Sequence, residues 1–383
     1  MLKYELIKIF SKRINRVVLA VTLFIAVISS CFAIGSLRYT DEEGESHTGI
    51  ASGRLLAADI NQWQGELTPD KIYEVINDYK ELSAKYPDGI PDSEWNEDVL
   101  YQLTDEQMQD IYTIYKDNMG KLAEEYGTTP EKKDFLESIY GKIKLPLTFK
   151  AKDSWDTMTM YAQTYAILLA VVIGFLAAGI FSAEFRPGAE DVFLASRYGR
   201  SKAVRNKIAA GILMATIVYW TGMALLSLIS FAVMGTSGFF TPYQISDPYS
   251  IYVMTFGQYY LLILAGGYIA SLFGAALTML VTVKMHTPNL AVCIPFILQC
   301  MMPFIARALS SFDAFFNLMP TMLTNVLNTV RAPILVQIEP FVFRLIPFLL
   351  VLYSVLFVGL LPLIYRCYSR HGIKKSTRKG RKH

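Results

Sequence analysis

Residues 183–207, AEFRPGAEDVFLASRYGRSKAVRNK, form a charged stretch wedged between two long apolar runs. The runs on either side, residues 158–182 and Ile208 to Met234, contain no Asp, Glu, Lys or Arg. A polar segment between two runs of spanning length reads as the cytoplasmic handle of a polytopic membrane protein.

Composition agrees with that reading. The chain has 383 residues, 53% of them hydrophobic, and its mean hydropathy of +0.33 is too high for a soluble domain of this size. A net charge of +3 conceals a segregation, because residues 37–157 hold most of the Asp and Glu while the remainder is basic. Cys31, Cys293, Cys300 and Cys367 lie in or beside apolar runs. They read as buried, inert thiols with no disulfide framework.

Outward from the handle, the chain divides into segments with different solvents. In residues 1–16, Leu2, Leu6, Ile9 and Phe10 fall on one side of a helix and Lys8, Lys12 and Arg16 on the other, the pattern of an interfacial amphipathic helix. Residues 17–36 are an uncharged run, expected to be a retained first span; a cleaved signal peptide would have a shorter core. Residues 37–157 are expected to form an acidic, helical extracellular domain. Its helix starts are Thr68-Pro69, the capping-box pair Thr104 and Gln107, and Thr129-Pro130, with Gly127 and Gly141 as stops. Its carboxylates, including the Asp41-Glu42-Glu43 run, read as a solvated surface rather than a cation site.

Residues 158–182 are the second span, and residues 208–365 hold the third to sixth. Within the fourth, Gly267, Ala270, Ser271 and Gly274 form a small-residue face suited to close helix packing. Residues 308–344 are apolar but interrupted by Pro320, Pro333 and Pro340, and are expected to form an external, partly re-entrant hairpin with its backbone buried against protein. Residues 366–383 are a basic cytoplasmic tail. Lys and Arg outside the acidic domain concentrate in residues 1–16, the handle, Lys284 and the tail, whereas Gly235 to Ser250 has none. The positive-inside rule therefore puts both termini and the handle in the cytoplasm and residues 37–157 outside the cell.

Catalytic chemistry is scarce. The chain has no G-x-x-x-x-G-K-[ST] for nucleotide phosphates, and His47, His286, His371 and His383 make no HExxH metal motif. Ionisable groups at membrane depth, which ion-driven carriers use, are few. Gln163, Gln258 and Gln299 are the main polar residues of the spans and read as interhelical hydrogen-bonding groups. Transport by this chain therefore requires energy from another one.

The handle offers a connection. A short helix around Asp191 to Tyr198 would project Val192, Phe193 and Leu194 into an apolar groove of a partner. Glu184 just past a span, Gly188, the Phe193-Leu194 pair, Ser196, Arg200 and Lys207 follow a spacing that resembles the first cytoplasmic loop of ATP-binding-cassette type-2 permeases. Arg197 and Gly199 stand where many members have Pro and Ser. The resemblance extends over nearly the whole chain, with an amphipathic start, one span, a large external domain and five more spans. It implies a permease subunit, not itself an enzyme, that dimerises or pairs with a similar chain in the lipid bilayer and binds two ATPase subunits. Glu184, Gly188, Val192, Phe193, Leu194, Arg200 and Lys207 would form the coupling site. ATP and Mg would be held by the partner ATPase, with no cofactor or metal in this chain and no nucleic-acid partner. The substrate implied is amphipathic, peptide-like or lipid-like, as in antimicrobial-peptide export or immunity. The competing expectation is a membrane sensor or accessory subunit whose external domain recognises a peptide without moving it.

Overall fold

The computed structural model of the chain describes residues 1–41, 45–85, 104–182, 202–285 and 288–369. Helix α1 (Leu2–Ser11) is separated from α2 (Arg13–Ser36) by Lys12, whose extended backbone breaks the helical path. The domain that follows contains the hairpin β1 (Arg38–Thr40) and β2 (Ser46–Thr48), then α3 (Ser52–Ile60), β3 (Gly65–Glu66), α4 (Pro69–Lys85), α5 (Asp105–Gln109), α6 (Ile111–Tyr126), α7 (Pro130–Tyr140) and β4 (Thr148–Phe149). Strand β4 returns antiparallel to β3 and brings the chain back to the bundle.

The helix starts of this domain follow from local chemistry. Thr104 and Gln107 form a reciprocal capping box at 2.9 and 3.3 Å, and the Thr129 hydroxyl accepts from the Lys132 amide at 3.3 Å with Pro130 in the first turn. Thr68 does the same for the Lys71 amide at 3.4 Å. Gly127 and Gly141 end α6 and α7.

The bundle then runs through α8 (Asp153–Ser182), α9 (Lys202–Met234), α10 (Phe256–Met285) and α11 (Pro288–Phe296), which continues through a π-helical turn (Ile297–Met301) into α12 (Met302–Ala308). Three short helices follow: α13 (Asp313–Phe316), α14 (Thr321–Thr324) and α15 (Val326–Arg331). The hairpin β5 (Leu335–Ile338) and β6 (Phe341–Arg344) precedes the last helix, α16 (Leu345–Ser369). Among the described residues six helical stretches are long and apolar enough to cross a membrane: α2, α8, α9, α10, α11 with α12, and α16. The protein is an all-α polytopic membrane protein.

Consecutive spans run in opposite directions around α10. Gly267 brings α10 close to both neighbours: a β-carbon there would lie 2.5 Å from the Tyr219 hydroxyl of α9 and 2.8 Å from the Ala166 β-carbon of α8. The Tyr219 hydroxyl donates to the Leu264 carbonyl at 2.8 Å, and the Ser271 hydroxyl to the Gly267 carbonyl at 2.7 Å. Ala270 and Ser271 are fully buried. Outward faces of α2, α12 and α16 carry exposed Phe24, Phe32, Phe304 and Val355, apolar surface that a bilayer covers. Cys31 and Cys293 are also on exposed faces and Cys300 and Cys367 are partly exposed, which corrects the expectation of buried thiols. Lipid rather than protein covers an apolar residue on the outside of a span, so an apolar run does not predict protein burial.

The segment 318–331 enters the bundle rather than lying on it. Leu323, Val326 and Val330 are fully buried. Its contacts fall well inside the helix ends: Gly266 of α10 faces the Leu323 carbonyl, Gln163 of α8 accepts from the Leu327 amide at 2.6 Å, and the Tyr353 hydroxyl of α16 donates to the Leu318 carbonyl at 2.7 Å. At 1.5 Å per residue these positions lie about 12–15 Å in from the ends of their helices. A β-carbon at Gly266 would come within 2.3 Å of the Leu323 carbonyl oxygen, whereas one at Gly274 would meet nothing within 4 Å. Gly266→Ala should therefore cost about 1–3 kcal/mol by overpacking. Gly274→Ala should be neutral or slightly stabilising through helix propensity. Thermal unfolding of the two variants in detergent separates them, and equal effects would show that the Leu323 contact is not close.

Candidate coupling site

Four helices converge at the end of the bundle that carries α1, where α8 ends at Ser182 and α9 begins at Lys202. Leu6 and Phe10 of α1 pack against the bundle and Ile9 is buried, so the apolar side of this short helix faces protein. Asn15, buried in the first turn of α2, donates to the Ile9 carbonyl at 2.8 Å and fixes the angle between α1 and α2.

Polar contacts then tie α1 to the two helices that flank the handle. Lys12 Nζ donates to the Gly179 carbonyl of α8 at 3.1 Å. On the other side Lys207 of α9, with a side chain 0% exposed, pairs with the Glu5 carboxylate of α1 at 3.0 Å. A fully buried ammonium is costly unless paired and hydrogen-bonded, so this contact constrains where α1 can sit. Helix α16 completes the cluster. Phe181 of α8 packs on Tyr368 with ring centroids 5.4 Å apart, and the Arg205 guanidinium of α9 lies 5.5 Å from the centre of the Tyr365 ring. The arrangement is a brace: α8 is fastened to the α1–α2 junction through Lys12 and α9 to α1 through Glu5, and both touch α16, at the end of the bundle where Ser182 and Lys202 lie.

Of the residues expected to form the coupling site, Glu184, Gly188, Val192, Phe193, Leu194 and Arg200 lie outside the described residues. Lys207 lies one and a half turns into α9 and points at α1. Sequence reading overlooked Glu5, Lys12, Arg205, Tyr365 and Tyr368. A signal for Glu5 existed, since it is the sole acidic residue in the basic stretch 1–16.

The three glutamines separate into two roles. Gln163 Nε2 donates to Asn325 Oδ1 at 3.3 Å while its carbonyl holds the Leu327 amide, and Gln299, in the π turn, accepts from the buried Thr324 hydroxyl at 2.6 Å. Both therefore bind the entering segment 318–331 to spans α8 and α11–α12. Gln258 differs from the expectation: it is exposed and forms a capping box with Thr255 at the start of α10, at 3.0 and 3.3 Å. The correction has a local cause, because α10 begins at Phe256 and places Gln258 in its first turn.

At the opposite end of the bundle the domain of α3–α7 is fastened by caps and aromatic contacts. Arg54 of α3 donates to the Ala232 and Val233 carbonyls at 2.7 and 3.0 Å, satisfying the last turn of α9. Tyr115 of α6 packs on Tyr249 of the connection between α9 and α10 with ring centroids 5.5 Å apart. In the hairpin β1–β2 the half-buried Asp41 and the exposed Glu45 and His47 bring their ligand atoms within 4.8 Å of one another, and Asp41 accepts both the Glu45 amide and the His47 ring at 2.9 and 2.6 Å. These bonds close the hairpin loop. No protein-family model matches this chain, and no curated protein matches it.

Proposed function

We propose that this chain is the membrane-spanning permease subunit of an ATP-binding-cassette exporter, working with separate ATPase subunits and a second permease chain on an amphipathic, peptide-like or lipid-like substrate. The observation that carries the reading is the brace around residues 183–201. A partner that displaces that segment pushes on α8 and α9, which are joined through Lys12–Gly179 at the α1–α2 junction and Glu5–Lys207 on α1, so displacement is delivered to the spans rather than absorbed by a loose loop. The sequence resemblance of residues 184–207 to a coupling loop and the scarcity of ionisable groups in the spans favour an external ATPase as the source of energy.

In this reading α1, the handle and residues 366–383 are cytoplasmic, α3–α7 are extracellular and residues 308–344 dip back into the outer half of the membrane. Two measurements test it. In a variant lacking the four native cysteines, single cysteines at Ser46 and Thr128 should react with an impermeant reagent on intact cells, while those at Ser201 and Ser376 should require permeabilisation; labelling of Ser201 in sealed cells reverses the orientation. The tagged chain, extracted gently from its native membrane, should carry a P-loop ATPase in about equal amount and hydrolyse ATP. A preparation that fully retains its fold but holds no ATPase and shows no hydrolysis would defeat the exporter reading.

A further inference from the structure

Helix α6 places Lys116, Met119, Gly120 and Ala123 on one face, at spacings of three and four residues, and α7 turns Glu137 and Tyr140 toward them. Between the two helices lies a cavity of about 410 Å³. That volume falls in the range of small-molecule sites, which run from about 300 to 1,000 Å³.

The walls divide by chemistry. Met119, Ala123 and Tyr140 are buried and give an apolar floor, while Lys116 and Glu137, exposed at the rim, supply one charge of each sign from opposite helices. Lys116 has no hydrogen-bond or ion-pair partner among the described residues. Glu137 has a loose ion contact, 4.0 Å to Lys133, which sits closer to Glu124 at 3.3 Å. Both rim charges are therefore available to a ligand.

Two features keep the cavity open. Gly120 sits mid-helix, where glycine weakens α6, and a β-carbon there would meet nothing within 4 Å. Both walls are also anchored on the same two residues of the connection between α9 and α10: the Tyr115 hydroxyl donates to the Pro248 carbonyl, Asn118 Nδ2 to the Tyr249 hydroxyl at 3.1 Å, and the Tyr140 hydroxyl to the Tyr249 carbonyl at 3.3 Å. Held on a common anchor, α6 and α7 keep a fixed relation to each other, and the site is preorganised.

We propose that this cavity is a ligand site for a zwitterionic molecule of dipeptide size with apolar side chains, its ammonium meeting Glu137, its carboxylate meeting Lys116 and its apolar groups resting on Met119 and Ala123. Charges of opposite sign on opposite walls select a molecule that carries both, and fix its direction in the cavity. The site lies in the domain at the opposite end of the bundle from α1, and its test requires no ATPase, so it stands or falls separately from the exporter reading.

The test uses the full chain in a nonionic detergent and calorimetric titration with the dipeptide Leu-Phe bearing free termini. Saturable one-to-one binding is expected, with affinity at least tenfold lower for the same dipeptide acetylated and amidated, and about tenfold lower for Lys116→Gln or Glu137→Gln. Gly120→Leu should abolish binding while the melting temperature is unchanged or raised, because the new side chain fills open space and removes a helix-weakening glycine. Absence of Leu-Phe binding to the unmodified chain, equal binding of the capped dipeptide, or full binding by a folded Gly120→Leu variant would each overturn the proposal. Binding of lysophosphatidylcholine without binding of Leu-Phe would put a lipid in the cavity and overturn the assigned class.

Discussion

Replacing Glu5 with Ala is expected to free α1 from the bundle. The change removes a carboxylate 3.0 Å from the Lys207 ammonium, whose side chain is 0% exposed. Removing one partner of a buried pair costs about 3–5 kcal/mol, and because Glu5 is 21% exposed the lower end applies. About 3 kcal/mol is roughly a hundredfold in the local opening equilibrium, so amide hydrogen exchange in residues 2–11 should accelerate by about that factor in detergent micelles. Adding Lys207→Met should recover most of the loss, since an apolar side chain of similar length removes the buried charge while keeping its packing. Equal exchange in the single variant and the unmodified chain would show that α1 is held by its apolar face alone. Equal exchange in the single and double variants would show that the cost lies in Glu5 itself rather than in the pair.

That pair marks the limit of what the sequence makes legible. Capping chemistry acts over three residues, so Thr104 with Gln107 and Thr129 with Lys132 can be read directly, and the helices they start are where the structure has them. The spans are equally legible, because length and apolarity suffice to define them. The same capping spacing was available at Thr255 and Gln258, but the apolar residues on both sides made Gln258 look interior to a span. Long-range polar contacts leave no such trace. Glu5 and Lys207 lie 202 residues apart, and Thr129 and Gln337 are 208 apart, so neither pairing has a periodicity that announces it. The sequence offers Lys207 as a basic residue of the resembled coupling loop, and nothing in it announces a partner in α1. Its burial depends on α1 folding back over α9, which is a tertiary fact.

The entering segment 318–331 is an intermediate case. The interrupting prolines rule out a regular spanning helix, which is why a non-spanning path can be anticipated. Sequence does not show which side chains satisfy its backbone, and the structure supplies them as Gln163 and Tyr353 from two different spans, while Gln299 of a third accepts from the Thr324 hydroxyl. A polar residue inside a predicted span thus marks a place where irregular backbone is accommodated, provided its helix position is deep enough. Gln258, in a first turn, fails that condition.

The exporter reading makes its largest prediction at Phe193 and Leu194, within the stretch that the brace flanks. If Val192, Phe193 and Leu194 form the apolar edge that meets an ATPase, changing Phe193 or Leu194 to Asp buries an unpaired carboxylate at that contact. Such burial costs several kcal/mol, and each 1.4 kcal/mol is about tenfold in affinity, so ATPase retention should fall by a hundredfold or more. The chain should still insert and fold, because the segment is polar and non-spanning with or without the change. Substrate-stimulated ATP hydrolysis should fall in parallel with ATPase retention, and Ser376→Asp in the tail should leave both unaltered. The brace predicts a further asymmetry. Glu5→Ala should leave ATPase retention near normal while reducing stimulation, because it loosens the connection between the docking segment and the spans without touching the docking edge. Loss of ATPase retention in Glu5→Ala to the same degree as in Phe193→Asp would mean that α1 itself belongs to the contact surface. Unchanged retention and transport in both Asp variants would reduce residues 183–201 to a connection between two spans.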